Sequence, residues 1–269
     1  MDTLQKITES LKSQINIVPE VGIIVSRGMG ELIDSIENKI TVGFNKVEGL
    51  KAIGSDKEKG KFYAGVLNGK NVLIMYGRLH DYKGYKEEES VLPIYAMKEL
   101  GCKTLIINGV VGAVSGKLEV GDIVSVTDHI NFSGRNPLYG HEYKPYGARF
   151  FDMTGAYSER LIKSAEEAAK ELKIKIKRGV LGEFLGPTAE TAAEVGMAKQ
   201  LGCDCLGFHF VGEVIAARYA EMEVYVCALV TNYASAFSGN KLKYEDVQFN
   251  RQCASGYSSE LMLEFLKRI

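Results

Sequence analysis

From Val21 onward one pattern repeats: a short apolar run ends in glycine or a polar residue, and a segment with helical spacing follows. "VGIIVSRGMG", "KTLIING", "GDIVSVTDHI", "RGVLGEFLG", "CDCLGF" and "EVYVCALVTN" read as strands with the turns that end them. "ELIDSIENK", "EEESVLPIYAMKELG", "SERLIKSAEEAAKELKI", "TAETAAEVGMAKQLG" and "VGEVIAARYAE" read as helices, with Ser158 as an N-cap and Gly101 as a C-terminal stop. Buried strands alternating with amphipathic helices satisfy their apolar faces in a sheet covered on both sides. The expected fold is therefore α/β, a single domain over residues 1–269 with a mixed, largely parallel twisted sheet flanked by helices. One hairpin is expected early, where "KFYAGVLNGKNVLIMYG" joins two β-rich runs through Asn68-Gly69. The last segment is expected to be a helix running to the C-terminus.

A formal net charge of -1 supplies no field to attract nucleic acid or a membrane surface. The first twenty residues alternate charge with isolated apolar side chains and read as an amphipathic helix. No apolar run approaches the roughly 18 residues of a membrane span, and a cytoplasmic location is expected. Cys102, Cys203, Cys205, Cys227 and Cys253 are an odd, scattered set, which favours reduced thiols over a disulfide framework. Cys203 and Cys205 have no second ligand pair at metal-binding spacing, so no metal is expected.

In open α/β sheets ligands collect beyond the C-terminal ends of strands. The polar residues at those places are Ser26-Arg27, Arg78 and His80, Asn108, Glu190, His209 and Asn232. The turn at Arg27 is either a tight strand-to-helix connection or a place where backbone N–H groups meet an anion. Arg78 and His80, at i and i+2 on extended backbone, point the same way, which suits an oxyanion and equally describes a solvated hairpin exit. Tyr82 and Tyr85 follow closely. Glu190, at the start of a helix, either stabilises the helix dipole or accepts from ligand N–H groups. Asn232 either satisfies turn backbone or reads a heterocycle edge, where its amide both donates and accepts. "DHINFSGRNPLYG" is a polar loop long enough to suggest a function. No G-x-S-x-G elbow is present.

Taken in order, "VGIIVSRGMGELIDSIEN", "GRLHDYKGY", "LGCKTLIING", "GDIVSVTDHINFSGRNPLYG", "GARFFDMTGAYS", "GPTAETAAE", "GEVIAARYAEMEV" and "LVTN" resemble the trimeric, low-molecular-weight purine nucleoside phosphorylases. The resemblance implies phosphorolysis of a purine (deoxy)nucleoside to free base and pentose 1-phosphate, with inorganic phosphate as cosubstrate and no metal or organic cofactor. It implies that Arg78 and His80 hold phosphate with the backbone near Asn108 and Gly109. Glu190 would accept from purine N1–H and Asn232 would bond N7 and O6 of the leaving base. Tyr82, Phe208 and Tyr244 would lie around base and ribose, and Tyr146 would reach the active site of a neighbouring subunit in a homotrimer. Asparagine at 232, where methylthioadenosine phosphorylases carry aspartate, favours 6-oxopurines, because its amide can donate to O6.

Several positions depart from the family pattern. Arg27 stands where a phosphate-binding serine is usual, and His209 where a second one is. "NGVVGAVS" replaces the usual "NAAGG", Ala189 replaces an aromatic that stacks on purine, and Tyr244 replaces a histidine. Arg27 and His209 both add potential positive charge to the anion pocket. Three readings follow: an altered phosphate clamp, a filled phosphate site in a non-catalytic purine-binding relative, or a pocket retuned for a more acidic ligand. Tyr244 also suits a methylthio-nucleoside phosphorylase, against which Asn232 argues.

Overall fold

The computed structural model describes residues 2–25, 28–140, 146, 148, 150–235 and 243–269, the side chains of Lys57 and Glu58 excepted. Helix α1 (Thr3–Gln14) opens with a capping box between Asp2 and Gln5 and buries Ile7 and Leu11. Strand β1 (Val21–Val25) is buried throughout. The short helix α2 (Gly30–Asp34), edge strand β2 (Glu37–Gly43) and short helix α3 (Ser55–Lys59) follow. The expected hairpin is formed by β3 (Lys61–Leu67) and β4 (Lys70–Tyr76), with Asn68 and Gly69 at φ of 48° and 79° in its turn. Then come α4 (Glu87–Leu100), β5 (Thr104–Ala113), β6 (Ile123–Asn131), α5 (Glu159–Leu172), β7 (Ile176–Glu183), α6 (Ala192–Gln200), β8 (Cys205–Gly207), α7 (Val211–Tyr219), β9 (Glu223–Tyr233), α8 (Tyr244–Cys253) and α9 (Ser255–Leu266).

Among the described residues nine strands form one mixed sheet in the order β2-β3-β4-β1-β5-β8-β7-β6-β9, and β9 returns to pair in parallel with β5 along its length. Strands β5, β8, β7, β6 and β9 thus close on themselves, while β2, β3, β4 and β1 extend from β5 as an open sheet. One large buried cluster runs from Ile7 to Leu266 across the sheet and its helices.

Three local expectations are corrected. "ELIDSIENK" is not one helix: α2 stops at Asp34, and the β-branched run from Ile40 to Val42 pairs with β3 instead. "KTLIING" does not end in a turn, because β9 is equally long and supplies backbone partners for β5 through Ala113. The glycine at 109 answers to packing, since a Cβ there would stand 2.6 Å from Phe210 Cζ and 2.9 Å from His209 Nε2. The C-terminal segment is two helices, α8 and α9, meeting at Ala254.

The geometry of β5 opens the site. Its pairing with β1 ends at Ile107, and its pairing with β8 begins only at Gly112. Between them, residues 108–111 of that edge belong to neither neighbour, and the two strands diverge. On the opposite edge a bulge between Val111 and Gly112 sets Gly112 against Asn232. Among the described residues no helix is long and apolar enough to cross a membrane.

Candidate functional site

A cavity of about 460 Å³ opens where β5 leaves β1, a size ordinary for a small-molecule site. Arg78, His80, Tyr82, Glu190, Phe208, His209, Asn232 and Tyr244 all line it. These residues come from five separate stretches of chain, and the fold brings them together.

Arg78 leaves β4 after Gly77, whose φ of 110° turns the chain toward the cavity. Its Nε and Nη2 donate to the two Glu213 carboxylate oxygens at 2.7 and 3.1 Å, and Nη2 also donates to the Asn108 carbonyl at 3.1 Å. The guanidinium lies 5.5 Å from the Phe210 ring centre. Three sides of Arg78 are thereby fixed, and its buried Nη1 has no partner among the described residues. Burial pushes the Glu213 carboxyl upward while Arg78 works against that.

His80 packs between Tyr82 and His209, at ring separations of 4.7 and 5.2 Å. Burial, with the charges of Arg78 and Lys83, lowers its pKa to about 3, so the ring is neutral across the physiological range. Its Nδ1 is buried, and a hydrogen bond from the ring to the Arg78 backbone works against the downward shift. His209 stacks on Phe210 and is likewise lowered, first by burial and then by Arg78 and His80. Burial therefore works against the extra positive charge expected at 209, where the ring packs on Phe210 and His80.

Glu190 is not the first residue of a helix. Thr191 is the N-cap of α6, in a capping box with Glu194, so the capping task is already filled. Glu190 stands one residue outside, on the cavity wall, its carboxyl raised by burial. Asn232 sits beside the β5–β9 bulge, its Oδ1 accepting from Thr231 Oγ1 and its Nδ2 donating to the Tyr233 carbonyl, both at 2.9 Å. A Cβ at Gly112 would come within 2.8 Å of that Nδ2, so glycine makes room for the amide.

Asn108 and Gly109 lie beneath the main cavity and line a small adjoining cleft with Gly28 and Arg251. The Asn108 carbonyl is already engaged by Arg78. Tyr146 is not on this chain's cavity wall: it stacks on Tyr95 at 5.3 Å and donates to Glu99. "DHINFSGRNPLYG" also stays off that wall, with Arg135 directed to Asp81 and Glu87. Ser26 and Arg27 lie outside the described residues.

With this geometry in hand, comparison with known proteins is decisive: the family model described as the phosphorylase superfamily matches residues 21–267. The chain belongs to the phosphorylase superfamily. It is 35% identical to purine nucleoside phosphorylase 1 of Bacillus subtilis (strain 168) over 246 residues, covering 91% of each chain. It superposes on the purine nucleoside phosphorylase of Schistosoma mansoni solved with inosine at a TM-score of 0.94, with 31% identity, covering 99% of this chain and 96% of that one. A purine nucleoside phosphorylase solved with ribose-1-phosphate matches at a TM-score of 0.87, with 31% identity over the same shares.

In this member of the phosphorylase superfamily, two carboxylates escape a reading of strand ends. Glu213 is the partner that a buried Arg78 demands, but 135 residues separate the pair. Glu183 ends β7, accepts from the N–H groups of Phe210 and Val211 at 2.5 and 2.7 Å, and so caps α7, whose own N-cap Phe210 has no side-chain acceptor. Burial raises its pKa from 4.5 to about 7, opposed by those two donors and assisted by Glu213 and Asp81.

A carboxyl that binds its proton more tightly folded than unfolded stabilises the fold at low pH. It loses that contribution as pH rises from 4.5 through about 7. Glu183→Gln keeps an oxygen acceptor but cannot ionise. Its urea midpoint should therefore gain on that of the unsubstituted protein as pH rises through this window. A pH-independent difference would show that Glu183 ionises at its ordinary value.

Proposed function

We propose that this chain cleaves 6-oxopurine nucleosides, inosine, guanosine and their deoxy forms, by phosphorolysis to free base and (deoxy)ribose 1-phosphate. Inorganic phosphate is the cosubstrate, and no metal or organic cofactor takes part. The carrying observation is that Arg78, whose buried Nη1 has no partner among the described residues, lines the same cavity as His80, Glu190 and Asn232. Buried nitrogens without partners are costly unless a ligand satisfies them.

The reaction breaks the bond between base and C1′ and forms a bond from phosphate oxygen to C1′. Negative charge gathers on the purine as it leaves, and the sugar becomes oxocarbenium-like. Asn232 donates toward N7 and O6, where that charge collects, and Glu190 accepts from N1–H. Arg78 Nη1 and the neutral His80 hold phosphate on the other side of the sugar. Tyr82, Phe208 and Tyr244 enclose base and ribose, and His209 with Gly109 shapes the floor. Ala189 leaves the purine without the stacking aromatic usual in the family, a loss of about 0.5–1.5 kcal/mol that turnover tolerates. Arg27 is assigned to the phosphate end from its sequence position alone. The working form is a cytoplasmic homotrimer serving purine salvage, in which Tyr146, absent from its own cavity, reaches that of a neighbour.

Incubation of the protein with inosine, guanosine, adenosine and methylthioadenosine, with and without phosphate, tests the reading. Hypoxanthine or guanine should appear only when phosphate is present. Purine binding without release from any nucleoside would overturn it in favour of a non-catalytic relative.

A further inference from the structure

Phosphate entering this cavity brings negative charge into a partly desolvated place, and charge there must be compensated. Lys59 lines the main cavity but not the cleft at Asn108 and Gly109, and Arg78 and Lys83 are not free to do so. Arg78 is paired in bidentate fashion with Glu213. Lys83 is 2.6 Å from Asp56, which also accepts from Tyr85. Burial works against a charge on His80 and on His209.

Helix α8 supplies what is missing. Tyr244, Val247, Gln248 and Arg251 recur at i, i+3, i+4 and i+7, so they form one face of α8, and all four line the cavity. The helix is tied to the end of β9 by Asn250, whose Nδ2 donates to the Thr231 carbonyl at 2.8 Å. Arg251 is the one member of this face that also lines the cleft formed by Gly28, Asn108 and Gly109. Its stem lies against Gly28: a Cβ there would be 3.6 Å from Arg251 Cγ and 3.8 Å from Nε. Its Nη2 donates to Gln248 Oε1 at 2.8 Å, a neutral acceptor that orients the guanidinium without cancelling its charge. Among the described residues no carboxylate pairs with it.

We propose that Arg251 is a phosphate-binding residue of this site, supplying the uncompensated positive charge that Arg78 does not. The assignment rests on the phosphorylase reading above and extends it to a residue on a different wall. It also gives α8 a role beyond packing: the helix brings a cation to the phosphate while Tyr244 and Val247 border the nucleoside.

Steady-state phosphorolysis of inosine with Arg251→Met and Arg251→Lys is the test, joined to direct titration of each protein with inorganic phosphate. Arg251→Met should raise the KM for phosphate about 10- to 100-fold, the loss of one charge-assisted hydrogen bond, and leave the KM for inosine within about twofold. Lysine should restore part of the loss, since it keeps the charge without the fork. An unchanged phosphate KM in an active Arg251→Met enzyme overturns the proposal. So does a loss confined to binding of a nucleoside 5′-monophosphate, which would place Arg251 at the 5′ end of the ligand. A shift produced by Lys59→Met or Arg27→Ser, and not by Arg251→Met, overturns it as well. If the unsubstituted protein releases no base, the parent reading fails on its own, and the phosphate titration still decides the role of Arg251.

Discussion

Asn232→Ala is expected to lower kcat/KM for inosine by about 10²–10³-fold, the usual consequence of removing one donor from a developing anion, with the fold intact. The side chain is not part of the core. Its two hydrogen bonds are local, to Thr231 and Tyr233, and it sits at a bulge facing the cavity. What alanine removes is the amide able to donate toward O6 and N7 of the leaving base. Because that charge is greatest in the transition state, the loss should fall on kcat more than on KM. Asn232→Asp sharpens the test: a carboxylate repels O6, so inosine turnover should fall at least as far. Kinetics with a parallel thermal melt would show this. Unchanged turnover in the alanine variant would mean that base activation resides elsewhere.

The largest expected effect on stability comes from Glu213→Ala. Arg78 and Glu213 are both buried, with side chains 4% and 12% exposed, and they meet through two hydrogen bonds. Deleting the carboxylate leaves a guanidinium in a low-dielectric place with, among the described residues, the Asn108 carbonyl and the Phe210 ring against it. Breaking such a pair from one side costs about 3–5 kcal/mol. Urea denaturation should register a loss of that order in Glu213→Ala, and much less in the double variant Arg78→Met with Glu213→Leu, which leaves no orphaned charge. Comparable losses in both would show that the site depends on packing volume and not on charge pairing.

Much of this protein was legible along the chain. Apolar runs separated by helical spacing implied the mixed α/β sheet, Asn68-Gly69 marked the hairpin, and Ser158 marked the start of α5, because each of these depends on residues close together in sequence. The positions Arg78, His80, Glu190, His209 and Asn232 could be named because strand ends are where α/β sheets place ligands, and all five line one cavity. The resemblance to purine nucleoside phosphorylases supplied the chemistry that those positions are assigned.

What tertiary structure alone decided depends on residues far apart. The length of β5 was set by its partner β9, so Asn108 and Gly109 lie inside a strand where a turn was expected. The charge of His209 was opposed by burial beside Arg78 and His80, and a sequence contains neither burial nor neighbour. Glu213 and Glu183 acquired their roles from an arginine 135 residues away and from a helix start 27 residues away. Local periodicity and capping are short-range and survive in the linear chain. Desolvation and charge pairing act through space, and they exist only once the sheet has closed.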